Sequence, residues 1–111
     1  MDEKYRRAVD AAAIFSETDV TGRITYVNDQ FCAVSGYSRD ELVGQNHRLL
    51  NSGLHPTEFF LSMWRTIALG NIWKGEICNR AKGGSLYWVD CTLLPVLEPV
   101  SGRVHRYLSI A

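Results

Sequence analysis

No run of apolar residues in this chain approaches the length needed to span a bilayer, which excludes a transmembrane helix. Net charge is missing too. Twelve basic and twelve acidic side chains cancel, leaving no basic face of the kind that binds nucleic acid. Cysteine is sparse: Cys32, Cys78 and Cys91 are odd in number and show no C-x-x-C spacing. Reduced thiols in a cytoplasmic setting are the simplest reading, although Cys78 and Cys91 could meet diagonally across a hairpin. The first residues, MDEKYRRAVDAA, are charged and helix-prone and carry no secretory signal. Catalytic signatures are absent as well: no HExxH, no GxSxG, no phosphate-binding loop and no carboxylate pair set in a cleft. The chain is therefore not expected to be an enzyme by itself.

What is present suffices for one domain with one core: 111 residues, 46% of them hydrophobic. The chain is organised around the stretch Trp73 to Leu97. There, two β-rich runs flank the polar turn Lys82-Gly83-Gly84-Ser85. Trp73, Gly75, Ile77 and Asn79 share one face of the first run, by the two-residue period of a strand. In the second run Leu86, Trp88, Asp90, Thr92 and Leu94 alternate with Tyr87, Val89, Cys91 and Leu93. The Gly-Gly pair supplies the positive φ of the turn. It is not a phosphate cradle, because no helix follows it. Pro95 marks a bulge or the fraying end of the second strand.

The rest of the chain supplies what the hairpin packs on. Residues 1–12 read as a flanking amphipathic helix with a thin stripe, Tyr5, Ala8, Val9 and Ala12, that either caps the core or pairs with another chain. Ala13–Asp19 and Arg23–Val27 form a short hairpin. Asn28 is an N-cap, Gly36 a C-cap, and Ser38 with Glu41 a capping box. Residues 45–56 are the least regular. Thr57 caps the longest helix, Glu58–Leu69, with the stripe Phe59, Phe60, Met63, Trp64 and Ile67. Arg103–Ala111 is a last strand, ending on an apolar residue as an excised module would. The order β-β-α-α-α-β-β-β predicts an α+β domain over 13–111: a five-stranded antiparallel sheet with helices packed on one face.

These landmarks closely resemble a PAS domain. The carrying residues are Asp19-x-x-Gly22-x-Ile24-x-Tyr26-x-Asn28, Phe31, Gly36-Tyr37-Ser38-x-x-Glu41-Leu42-x-Gly44, Trp73-x-Gly75-Glu76-x-x-Asn79-Arg80-x-Lys82-x-Gly84 and Tyr87-Trp88. The resemblance covers nearly the whole chain. It implies a sensory or dimerisation module upstream of an output domain such as a histidine kinase or cyclase, as in two-component signalling. The middle segment, Asn46-His47-Arg48-Leu49-Leu50-Asn51-Ser52-Gly53-x-His55-Pro56, with Trp64 and the hairpin, is similar to the FAD-binding PAS group of bacterial redox and aerotaxis sensors. That resemblance implies non-covalent FAD, with Asn79 and Trp64 or Trp73 at the flavin and His47 near the reactive edge of the ring. Reduction would then change protonation and charge at that edge. Around Gly44-x-Asn46-x-Arg48 the chain also resembles the blue-light LOV group. There His47 stands where LOV domains carry their reactive cysteine, so no thiol adduct is available at that position. Val89 and Ala111 stand where other LOV polar contacts are expected.

The residues allow two readings each. Asn79 is either a donor–acceptor contact to a flavin edge or a loop-satisfied amide. Trp64 and Trp73 are ligand walls or plain core, with at least one expected at the ligand. His47 is a titrating hydrogen-bond partner or a solvated loop residue. His55 is expected at the pocket mouth. Arg48 binds a phosphate or pairs with Glu41 or Asp40 at the surface. Ser16 is placed toward the pocket by strand alternation. Haem is not expected, since the long helix has no histidine to serve as an axial ligand. The alternative function is a cofactor-free interaction module, its interior closed by Trp64, Trp73, Phe59, Phe60 and Leu94, or a sensor of another small ligand. In either case a homodimer through the N-terminal helix and the sheet is expected.

Overall fold

The computed structural model describes residues 3–111. Helix α1 is Glu3–Ala12, followed by β1 (Phe15–Thr18), β2 (Ile24–Val27), α2 (Asp29–Ser35) and α3 (Arg39–Leu42). A 3-10 turn, His47–Leu50, and α4 (Thr57–Ala68) lead to β3 (Trp73–Arg80), β4 (Leu86–Leu97) and β5 (Val104–Ile110). The strands form one antiparallel sheet in the order β2-β1-β5-β4-β3. This is the expected α+β architecture. No helix of the described residues is long and apolar enough to cross a membrane.

Local chemistry sets most of the element ends. Asn28 Oδ1 accepts the N–H of Phe31 (3.0 Å) and of Phe15 (3.1 Å), while its Nδ2 donates to Ala13 O (2.8 Å). One buried side chain thus caps α2 and ties it to the start of β1. Gly36 ends α2 in the left-handed conformation, and Ser38 with Glu41 closes both bonds of the capping box.

Three expectations change in detail. α4 begins at Thr57, with Pro56 in the N-cap position and no side-chain cap. In the turn between β3 and β4 only Gly84 takes a positive φ, +97°. Pro95 neither ends β4 nor marks its bulge. It pairs with Tyr107, and the register shifts later, between Val96 and Leu97. A proline is tolerated there because β3 pairing stops at Leu93, leaving β4 an open edge on that side.

The apolar core lies at one end of the inner face, where Ile24, Val27, Phe31, Leu42 and Leu50 pack together. β4 and β3, under α4, are not filled in the same way. On the outer face Phe15 stacks obliquely on Tyr26 at 5.8 Å. α1 is tied down beside them, with Tyr26 Oη donating to Asp10 (3.3 Å) and Gln30 Nε2 donating to Ala11 O (3.1 Å). The stripe of α1 is not buried by this chain: Tyr5, Ala8 and Ala12 are exposed, and the side chain of Val9 lies outside the described residues, as do residues 1 and 2. All three cysteines are free. Cys78 pairs with Trp88 and Cys91 with Gly75, positions of opposite parity that put the two thiols on opposite faces.

Candidate functional site

Strand alternation turns Ile77, Asn79, Tyr87, Val89, Cys91 and Leu93 toward the helices. Between them and α4 with the 3-10 turn lies a cavity of about 560 Å³. Its far wall is Met63, Trp64 and Ile67 of α4, and its rim includes Asn46, His47 and Arg48. Leu94 points to the other face, opposite Leu108, so it cannot help close this space.

His47 is held by its backbone, whose N–H donates to Gly22 O (3.0 Å), and its ring meets Phe31 edge-on at 5.9 Å. Its Nε2 is shut off from solvent and has no hydrogen-bond partner. Burial pushes its pKa below the ordinary value of 6.5, so the ring is neutral at pH 7. Ser16, in the middle of β1, is 1% exposed, and its Oγ likewise has no partner. It lies on the cavity side of the sheet by register with Ser109, without lining the cavity itself. Ser109 in turn lies 3.3 Å from the Cys91 sulfur. Burial raises the Cys91 thiol pKa, making the thiolate less accessible.

Asn79 lines the cavity beside its cross-strand partner Tyr87. Burial raises the phenol pKa of Tyr87, and a hydrogen bond with the Asn79 side chain pulls it part of the way back. Trp64 also lines the cavity, with its ring edge-on to Tyr107 at 5.7 Å. The tip of its indole reaches the β1–β2 turn, where a Cβ on Gly22 would stand 3.1 Å from it. Trp73 lies elsewhere. Its indole folds over Gly75, where a Cβ would come within 2.6 Å, and meets Phe59 edge-on at 5.6 Å. Half-buried, it packs against Phe59 and over Gly75 and does not line the cavity. Arg48 stands exposed at the rim with no ion-pair partner among the described residues. The surface pairing with Glu41 is not made, because Lys82 holds that carboxylate at 2.6 Å.

His55, expected only near the mouth, does more. It lines the cavity, stacks on Phe59 at 4.2 Å, and its Nε2 accepts the Cys78 backbone N–H at 2.9 Å. Asn51 bridges to Asn79, and Arg80 Nη2 donates to Ser52 O (2.9 Å). The loop thereby covers the free edge of β3. Asn46 and Tyr87 are further cavity residues that the sequence reading missed. The signal for Asn46 was its place in the segment Gly44-x-Asn46-x-Arg48, and for Tyr87 its strand parity with Asn79.

A family model described as PAS domain matches residues 11–111. The chain is 41% identical over 100 residues to the nitrogen fixation regulatory protein of Klebsiella pneumoniae, an alignment covering 90% of this chain and 20% of that protein. It is 38% identical over 101 residues to the aerotaxis receptor of Escherichia coli strain K12, covering 91% and 20%. Among solved structures, an RNA-binding light-oxygen-voltage receptor superposes with a TM-score of 0.85 at 27% identity, over 97% of this chain and 31% of that one. The chain thus spans about one fifth of the length of these curated relatives. With its sheet order, its caps and its inner cavity, this chain belongs to the PAS domain family.

Proposed function

We propose that this PAS domain is a sensory module that holds FAD non-covalently and reports redox state to an output domain on the same polypeptide. The observation that carries the reading is the cavity of about 560 Å³ on the side of the sheet where His47 Nε2 and Ser16 Oγ are both buried without partners. The volume lies in the range of small-molecule pockets. A buried polar atom left unpaired costs about 1–3 kcal/mol, which a ligand with polar edges can offset.

The residues fit a flavin in kind. Asn79 offers an amide to a ring edge of alternating N–H and C=O groups. Trp64 offers a flat wall. His47, kept neutral, offers either a proton or a lone pair at Nε2, depending on its tautomer. Arg48 at the rim offers a cation to phosphate. When bound, FAD supplies reversible electron and proton uptake at its ring. His47, which lines the cavity, would answer a changed proton there by exchanging donor and acceptor roles at Nε2. Such a change alters output only if the two states of the domain bind the two ligand forms with different free energy. The names of the two curated relatives, a regulator and an aerotaxis receptor, support a sensor over an enzyme.

In this reading residues 1–12 flank the sensory domain, 13–111, and the module works in the cytoplasm, where its thiols stay reduced. It dimerises through α1 and the outer face of the sheet. The exposed stripe of α1, the outer-face Leu94, Leu108 and Ile110, and Trp88 at 61% exposure support that surface. The same surface favours the second reading, a cofactor-free interaction module. The open cavity supports the first.

FAD titration of the apo-domain, followed by flavin fluorescence, tests the site. Asn79→Ala is expected to weaken binding about tenfold, the loss of one buried hydrogen bond. Equal affinity in the variant would remove Asn79 from the site.

A further inference from the structure

A strap of chain, residues 51–55, runs along the free edge of β3 between the 3-10 turn and α4. It is pinned there at three points. Asn51 bridges to Asn79, Arg80 Nη2 donates to Ser52 O at 2.9 Å, and the Cys78 N–H donates to His55 Nε2 at 2.9 Å. Asn51 and His55 also line the cavity, so the strap is the side wall of the cavity at that edge. Within the strap the bonds are local: Asn51 Oδ1 accepts the Gly53 N–H (2.8 Å) and Ser52 Oγ the Leu54 N–H (3.2 Å).

The third pin differs from the other two in what a proton does to it. A backbone bridge and an arginine N–H are unchanged by pH near neutrality. His55 accepts only while its ring is neutral, with the proton on Nδ1. A protonated imidazole has two N–H donors and no acceptor, so Nε2–H would face the Cys78 N–H, donor against donor. The ring itself is held in either state. It stacks on Phe59 at 4.2 Å with the planes 13° apart, and an aromatic face attracts a cation. Phe60 and Trp88 meet it edge-on at 5.6 and 5.7 Å. The cost of the charge therefore falls on the bond between strap and strand.

The ionisable groups on the elements packed around the ring are Glu58 of α4, Glu76, Cys78 and Arg80 of β3, and Tyr87 and Asp90 of β4, with His47 and Arg48 across the cavity. Among the described residues none of their side chains makes a hydrogen bond or ion pair with His55, and Arg80 is committed to Ser52. The carboxylates favour a charged ring and the arginines oppose it, which moves the pH of the change and not its direction.

We propose that His55 is a pH-sensitive pin: its protonation releases residues 51–55 from the edge of β3 and opens the side of the cavity. Acid favours the open form because that form binds a proton at Nε2 and the pinned form does not. This holds whatever ligand the cavity takes.

The test is the exchange protection of the Cys78 amide by NMR, corrected for its intrinsic rate, followed with the nitrogen shift of His55 Nε2. The wild type and His55→Gln are compared from about pH 7.5 to about pH 5. Glutamine keeps an acceptor oxygen and takes up no proton in this range. In the wild type, Cys78 protection is expected to fall at least about tenfold, with a midpoint that matches protonation of His55. Tyr107, on a strand paired on both sides, is expected to stay protected, which shows the sheet intact. His55→Gln is expected to hold its Cys78 protection constant to within about twofold. Protection that survives protonation of His55 overturns the proposal. So does an equal fall in His55→Gln, and so does a simultaneous loss at Tyr107, which would make the opening global. If the variant leaves Cys78 unprotected at every pH, the wild-type midpoints decide: coincidence supports the pin and separation overturns it.

Discussion

A ring nitrogen that water cannot reach favours the neutral imidazole, and the Nε2 of the partly exposed His47 is in that position. The sign of the pH effect follows. The folded state binds the His47 proton less readily than the unfolded chain does. Its contribution to stability is therefore present above the ordinary histidine pKa of about 6.5 and is lost as pH falls through it. Urea midpoints of the wild type are expected to drop between pH 8 and pH 5.5, and His47→Leu is expected to show a smaller drop. Parallel drops would place the pH dependence elsewhere. Residue roles of this kind were only half legible in the sequence. Trp64 and Trp73 are both large aromatics near the hairpin, and nothing in their spacing separates them. Gly75 does so in three dimensions, because its missing Cβ leaves the room that the Trp73 indole fills.

Among the elements, α2 is anchored through one buried side chain, that of its N-cap Asn28. Asn28 is 2% exposed, and its side chain serves four backbone groups: the N–H of Phe15 and of Phe31, Ala13 O and, at 3.5 Å, Asp10 O. Asn28→Ala removes a cap and strands buried N–H and C=O groups, so a loss of about 2–4 kcal/mol is expected in chemical denaturation. A loss below 1 kcal/mol would mean that water replaces the side chain. Caps such as Asn28, Gly36 and Ser38 could be read from sequence because their chemistry spans three or four residues. The loop over residues 51–56 could not. Its shape comes from Asn51 with Asn79, Ser52 with Arg80 and His55 with Cys78, pairs more than twenty residues apart. The start of α4 shifted for a local reason, since Pro56 in extended conformation takes the cap position from Thr57.

Across the whole molecule, one inner face serves two purposes. At the α2–α3 end it is closed by Ile24, Val27, Phe31, Leu42 and Leu50, which supply the packed core. Under α4 it stays open, and the described polar groups gather around that opening. The α+β class and the five strands were legible from periodicity and turn chemistry. The strand order was not, because it turns on β1 pairing with β5 across most of the chain length, Phe15 with Ile110. A fold that leaves part of its inner face unfilled loses burial energy there, and the proposed return is a bound cofactor. The most direct test is the visible spectrum of the purified domain after incubation with FAD and desalting. The account predicts retained flavin bands that bleach with dithionite and return in air. A domain that stays colourless after reconstitution would contradict it, and the exposed outer face of the sheet would then become the place to look for function.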